Sequence, residues 1–133
     1  MNTFSLTVVT PDGKPYDAQA QSLLVRTRDG DVQILAGHAD LVAALGTGRA
    51  CIRTADGEER FAAVSGGFLT VEDGCVTAGC VTFEYAADID TARAARAKEY
   101  AEQMMREAKD MAELDRAKAK LARALARLQA AEL

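Results

Sequence analysis

ADIDTARAARAKEYAEQMMREAKDMAELDRAKAKLARALARLQAAEL, residues 87–133, decides how this chain is built. Its 47 residues include no glycine and no proline, and fifteen are alanine. Helices tolerate glycine and proline least and favour alanine most, so the segment reads as helix. Asp88 or Asp90 is placed to cap its start by accepting from the free amides of the first turn. Ala97, Ala101, Met104, Ala108 and Met111 recur at spacings of three and four, which marks one apolar face made mostly of methyl groups. Helix signals thin between Lys109 and Glu113, where a break is expected. Beyond it, Leu114, Leu121, Leu125 and Leu128 share one side of a second helix, and Arg116, Lys120, Arg123 and Arg127 form a basic stripe on another. Isolated helices of this length are marginal in water, so the two must rest on something. Alanine faces bury little apolar area, so the attachment is expected to be weak and the hairpin detachable.

Working outward, the composition changes near residue 86. All ten glycines and both prolines lie at or before Gly79. Asp-Gly occurs at 12–13, 29–30, 56–57 and 73–74, each able to turn the chain because glycine reaches positive φ and aspartate caps its own turn. Between these turns lie strand-like runs. Phe4, Leu6 and Val8 alternate with Ser5 and Thr7. Further runs are 23–25, 32–35, 50–52, 61–64, 68–71 and 76–83. About eight to ten short strands at this spacing suit a small antiparallel sandwich or barrel. The expected architecture is α+β: a β-sandwich over residues 1–86 and an antiparallel two-helix hairpin over 87–133.

Overall composition narrows the function classes. The chain has 133 residues, 49% of them hydrophobic and 27% charged, the balance of a globular protein. Net charge is −4, with 11 acids and 6 bases in 1–86 against 9 acids and 10 bases in 87–133. A nucleic-acid binder held by phosphate contacts needs a basic surface, and this chain lacks that balance. No apolar run approaches the ~20 residues of a bilayer span, and no secretory signal is expected at the start. Cys51, Cys75 and Cys80 are an odd set without CxxC spacing, and His38 is the sole histidine, so neither a disulfide framework nor a metal site is expected. Cys51 and Cys80 sit in apolar runs and read as buried, inert thiols.

No catalytic set emerges. Ser65-Gly66-Gly67 follows Ala63-Val64, so the Gly-x-Ser-x-Gly elbow is absent, and the glycines read as a strand bend. No Gly-x-x-x-x-Gly-Lys phosphate loop occurs. His38 stands in a loop-like stretch with Asp40 nearby and no evident nucleophile. One cluster has ligand chemistry. Asp90, Arg93, Ala97 and Tyr100 share a face of the first helix, and Arg123 and Arg127 share a face of the second. In an antiparallel hairpin these sets could converge, offering guanidinium forks to phosphates beside a carboxylate able to accept from an adenine amine. Asp and Arg three apart on a helix also form ordinary solvated pairs.

These residues resemble the epsilon subunit family of F-type ATP synthases over essentially the whole chain. The resemblance rests on FSLTVVTPDG (4–13), DGDVQILAGHADL (29–41), VSGGFL (64–69) and IDTARA (89–94), in order and followed by the alanine-rich tail. It implies an N-terminal β-sandwich and a C-terminal helical hairpin, and a non-catalytic place in the rotor's central stalk. The implied partners are the gamma subunit, the ring of c subunits and, for the extended hairpin, the alpha/beta hexamer whose ATP hydrolysis it inhibits. Asp31, Gly37, His38 and Asp40 are the interface candidates toward the c ring and gamma.

The resemblance also implies that no cofactor is required and that ATP can act as a regulator on the folded hairpin, favouring the compact state by linkage. Carried over residue by residue, that site is Glu84, Ile89, Asp90, Arg93, Arg123 and Arg127. Tyr100 departs from the pattern where tight binders carry arginine, so weak binding is expected. Gln33 stands where the family has glycine, and Ala36 and Asp40 where proline is common, so position 33 needs no positive φ and the loop is less rigid. The implied location is the cytoplasmic face of a bacterial plasma membrane, peripheral and without a transmembrane segment. The competing reading is a free-standing ATP-sensing module of the same architecture.

Overall fold

The computed structural model describes residues 2–11, 13 and 15–132. Seven strands are found among them: β1 (Phe4–Val9), β2 (Tyr16–Thr27), β3 (Gly30–Leu35), β4 (Leu41–Ala44), β5 (Thr47–Thr54), β6 (Glu59–Glu72) and β7 (Cys75–Tyr85). A 3-10 turn (Ala86–Asp88) leads to helices α1 (Thr91–Glu107) and α2 (Met111–Ala131). The α+β order of sandwich then hairpin is as the sequence indicates.

The sheet runs β1-β7-β6-β5-β2-β3, and β1 also pairs with β2, so five strands close on themselves. Closure removes the open edges that a small sheet would otherwise expose. Phe4, Leu6 and Val8 of β1 all point inward, as their alternation requires. Leu6, Ile34, Leu45, Ile52, Leu69 and Val76 are the largest fully enclosed side chains, drawn from β1, β3, β5, β6, β7 and the link between β4 and β5.

Three details differ from the expectation. The sheet is not wholly antiparallel, because β1 runs parallel to β7, with Leu6 opposite Val76. Strands number seven rather than eight to ten, because runs 61–64 and 68–71 are one long strand, β6. And β4, hidden in an alanine-rich stretch without alternation, pairs with β6.

The reason β6 stays whole lies at Gly66-Gly67. β4 and β5 meet β6 in one continuous register, Ala44 opposite Phe68 and Thr47 opposite Ser65. The run is interrupted only at Leu45-Gly46, where Leu45 N donates to Gly67 O at 2.8 Å and Gly66 N to Gly46 O at 3.2 Å. Gly66 and Gly67 take φ of 65° and 108°, so the sheet folds over a corner here without losing register. The Asp73-Gly74 turn has both residues at positive φ, 50° and 79°, the pattern of a tight two-residue hairpin. Asp12, and with it the expected Asp12-Gly13 turn, lies outside the described residues. Gln33 lies within β3, and Asp73 is the only non-glycine at positive φ among the described residues, so position 33 needs no glycine.

In the hairpin, Asp90 rather than Asp88 caps α1, its Oδ1 accepting from Arg93 N at 3.0 Å. The break falls at Ala108–Asp110, slightly earlier than expected, because Asp110 caps α2 by accepting from Glu113 N at 2.8 Å. The helix–helix seam is also different. Ala94 and Ala101 on α1 and Ala117 and Ala124 on α2 are the buried ones, each pair seven apart. Ala97 is exposed and Met111 is 67% exposed, so the expected face through both is off by part of a turn. The expected positions fall on two seven-residue rows, one with Ala101 and Ala108 and one with Ala97, Met104 and Met111; the seam follows the row of Ala94 and Ala101, and the other row is turned about 50° from it. α2 rests on the sandwich, over β5 and β6, through Ala126 and Ala130 against Ala63, with Ile89 alongside.

Where sandwich meets hairpin, Tyr85 packs edge-on to Phe83 and Tyr16, with the Arg60 guanidinium 4.2 Å from its ring centre. Its hydroxyl is buried with no hydrogen-bond partner among the described residues. Burial, reinforced by Tyr16 and opposed by Arg60, pushes the Tyr85 phenol up to about 12. The folded state therefore holds this proton more tightly than the unfolded chain, and stability falls as pH rises from about 10 toward 12. Tyr85→Phe is expected to flatten that alkaline loss in urea titrations without lowering stability at pH 7, because it deletes an unpaired hydroxyl.

Cys80 is buried and its thiol is pushed up to about 11 by burial. Cys51 is half-buried, with its pKa raised chiefly by burial, while Cys75 is exposed.

A cleft between the sandwich and the hairpin

Glu84 near the end of β7, Asp88 in the 3-10 turn, Asp90, Arg93, Ala94 and Ala97 from α1, and Arg127 from α2 line one cleft of about 350 Å³. The tail of β7 delivers Glu84, and the cap that starts α1 aims Arg93 and Ala97 at the same space. Arg127 Nε donates to Glu84 Oε1 at 3.0 Å, which ties α2 to the sandwich. Both side chains are about a third exposed, so the pair is worth under ~1 kcal/mol and weakens with salt. It is the only ion pair between hairpin and sandwich among the described residues.

Four of the six residues carried over from the family pattern, Glu84, Asp90, Arg93 and Arg127, therefore share this cleft. Arg123 lies beside Arg127 and Glu84 in a tight crevice with Ala63, Thr82 and Ala126. Ile89 packs against Ala63, Ala126 and Ala130, where α2 meets the sandwich. Ala97 opens onto the cleft, and Tyr100, one turn on, is exposed with the Lys120 amine 5.7 Å from its ring centre. Asp90 gives one oxygen to the helix cap and forms no ion pair with Arg93, so the simple solvated Asp–Arg pair is not what the geometry shows. Among the described residues no group of three His, Cys, Asp or Glu side chains gathers as a metal site.

The interface candidates divide. Gly37, at φ 85°, and His38 and Asp40 lie together in the loop between β3 and β4. His38 N donates to Leu35 O at 3.1 Å, Nδ1 of its half-buried ring lies 2.7 Å from the Ala39 carbonyl, and Asp40 Oδ1 accepts from Asp73 N at 3.2 Å. Asp40 thus braces the Asp73-Gly74 turn. Asp31 is elsewhere, at the other end of β3, bound to Arg26 at 2.9 Å beside Gln129 and Glu132 of the hairpin. Arg26 is raised in pKa by that hydrogen bond and charge.

Sequence reading did not single out an outward face without charge. Val42 (72% exposed), Phe68 (63%) and Val81 (61%) sit on β4, β6 and β7, with Val9 and Gly79 adjoining on β1 and β7. Alternation along each strand would have shown these positions facing out, had the pairing of β4 with β6 been known.

A closed β-sandwich with an alanine-seamed helical hairpin resting on it, and an arginine-bearing cleft between the two, defines a two-part sandwich-plus-hairpin class of protein. Residues 3–86 match the ATP synthase delta/epsilon chain beta-sandwich domain, and residues 87–132 match the long alpha-helix domain of the same chain. The ATP synthase epsilon chain of Bacillus velezensis is 41% identical over 131 residues, covering 98% of each chain. That of Staphylococcus haemolyticus is 39% identical over 134 residues, covering 100% of this chain and 99% of the relative. Among solved structures, a chain of the Euglena gracilis mitochondrial ATP synthase (OSCP/F1/c-ring) superposes with TM-score 0.84 at 26% identity, over 97% of this chain and 81% of that one. A chain from the central stalk and c-ring of the Tetrahymena thermophila mitochondrial ATP synthase shares the fold, with TM-score 0.66 at 17% identity, over 96% and 95% of the two chains. This chain belongs to the ATP synthase delta/epsilon chain family.

Proposed function

We propose that this protein is the non-catalytic central-stalk subunit of a rotary ATP synthase, coupling rotation to ATP synthesis and inhibiting ATP hydrolysis through its C-terminal helices. The observation that carries the reading is the asymmetry of attachment. The sandwich has its own core of residues 4–80, whereas the hairpin holds on through Ala63, Ala126, Ala130 and one ion pair. The charge-free face of Val42, Phe68 and Val81 suits a permanent partner, and gamma is the partner assigned to it. The c ring is assigned to the loop with Gly37, His38 and Asp40, and the released basic stripe Arg116, Lys120, Arg123 and Arg127 to the alpha/beta hexamer, where opposite charge orients docking. The complex places the chain at a membrane without entering it, on the cytoplasmic face of a bacterial plasma membrane. No helix among the described residues is long and apolar enough to cross one.

In this reading ATP occupies the cleft as a regulator. Arg93, Arg127 and Arg123 supply charge-assisted donors to phosphates, and the second oxygen of Asp90 is free to accept from an adenine amine. A ligand bridging α1, α2 and β7 stabilises the folded hairpin by mass action. Arg93→Ala is expected to weaken ATP binding by about 1–3 kcal/mol, measured by calorimetry. Unchanged affinity removes Arg93 from the site.

The deciding assay is hydrolysis by the cognate catalytic complex stripped of this chain, then supplied with either the full chain or residues 1–86. Binding by both with inhibition by the full chain alone is the expected result. Binding without inhibition by either leaves a coupling subunit, and no binding by either leaves a free-standing ATP sensor.

A further inference from the structure

The segment that separates α1 from α2 is only Ala108, Lys109 and Asp110, and none of the three is a strong helix breaker. No left-handed glycine ends α1. Ala108 turns extended, at φ −61° and ψ 131°, and the carbonyls of the last α1 turn gain no cap. The stop is imposed from the far side. Asp110, extended at φ −148° and ψ 174°, accepts from Glu113 N at 2.8 Å, and Glu113 Oε2 accepts from Lys109 N at 2.9 Å. In an unbroken helix, Glu113 N would bond to the carbonyl of Lys109, and Lys109 N to that of Met105. Two side-chain carboxylates therefore stand in for two backbone carbonyls. The next bond, Leu114 N to Asp110 O at 3.1 Å, is common to both arrangements.

The hairpin keeps the seam of Ala94, Ala101, Ala117 and Ala124, and it keeps α2 on the sandwich. The unbroken helix satisfies the amides and carbonyls that two helix ends leave open. Once α2 lifts from Ala63, only the alanine seam and the two carboxylates oppose merging.

We infer that Asp110 and Glu113 form a clasp that holds the hairpin against fusion of α1 and α2 into one helix over residues 91–131, about 60 Å long. Release of the hairpin from the sandwich then gives a rod rather than a loose pair of helices. This rests on the reading above that the hairpin leaves the sandwich, and it adds what sets the shape of the released form.

The test uses the full chain with its native cysteines replaced and spin labels at positions 96 and 118, both exposed. In the hairpin these backbone positions lie about 11 Å apart, and in one helix about 33 Å. Dipolar spectroscopy is expected to show the ratio of long to short distance rising about fivefold in Asp110→Ala and about tenfold in Asp110→Ala/Glu113→Ala. Asp110→Asn retains a capping oxygen and is expected to stay close to wild type. The inference is overturned if the double variant shows only the short distance, or a broad spread without the long component, since a merely frayed α2 start gives that result. Inhibition of hydrolysis by the unlabelled wild-type chain is scored separately. Loss of the distance change with inhibition intact refutes the clasp alone, whereas absent inhibition refutes the regulatory reading.

Discussion

Gly67→Ala is expected to be the most damaging single-methyl change in this chain, lowering the stability of the sandwich by about 3–5 kcal/mol. A Cβ at Gly67 would lie 1.8 Å from the carbonyl oxygen of Gly79 and 2.9 Å from Cys80 Cα, both backbone. Neither can swing aside as a side chain would. The φ of 108° adds strain that no L-residue accepts cheaply. Urea denaturation followed by far-ultraviolet circular dichroism reads the loss. Gly57→Ala is the control, since Gly57 also has positive φ, 87°, but a Cβ there meets nothing within 4 Å. It is expected to cost about 1 kcal/mol. Equal losses at the two sites would mean that φ alone, and not the folded corner, makes Gly67 necessary.

The second large effect is expected at the seam between the domains. Ala126 is 3% exposed and rests against Ala63. Ala126→Arg puts a long charged side chain where the contact is one methyl on another. The local answer is for α2 to lift, since the ion pair of Arg127 with Glu84 holds it only weakly. Amide protection across α1 and α2 is expected to fall about a hundredfold in hydrogen exchange, while that of β1, β6 and β7 stays unchanged. The sandwich is spared because its own core, from Phe4 to Cys80, does not include this contact. A parallel loss of protection in β1 and β7 would show that hairpin and sandwich unfold as one unit.

The amino-acid sequence by itself determined the division of labour within the chain. Forty-seven residues without glycine or proline, fifteen of them alanine, strongly favour helix, and repeated Asp-Gly turns among alternating apolar residues favour short connected strands. These are local properties, set by backbone sterics over a few neighbours. That the hairpin would pack through alanine faces, which have little area to bury, was also legible. The arginines and acids of the cleft were readable as candidates through their helical spacing and through the family resemblance.

Only the tertiary structure decided what depends on residues distant in sequence. Closure of the sheet by a parallel β1–β7 pair, and the continuous register of β4 and β5 against β6, are set by long-range pairing that short-range preference does not encode. The same holds for Gly67, whose necessity comes from Gly79 across the corner. Which alanines are buried followed the partner helix and the sandwich, so Ala94 and Ala101 went inward while Ala97 was left to line the cleft. Asp31 and His38, only seven residues apart, were carried to opposite ends of β3, with His38 in the loop beyond it, because the strand is extended at about 3.3 Å per residue. Glu84 and Arg127, 43 residues apart, became partners because a strand end and a helix meet there. Sequence sets what each segment can be; the packing of one segment on another sets which of its faces is used.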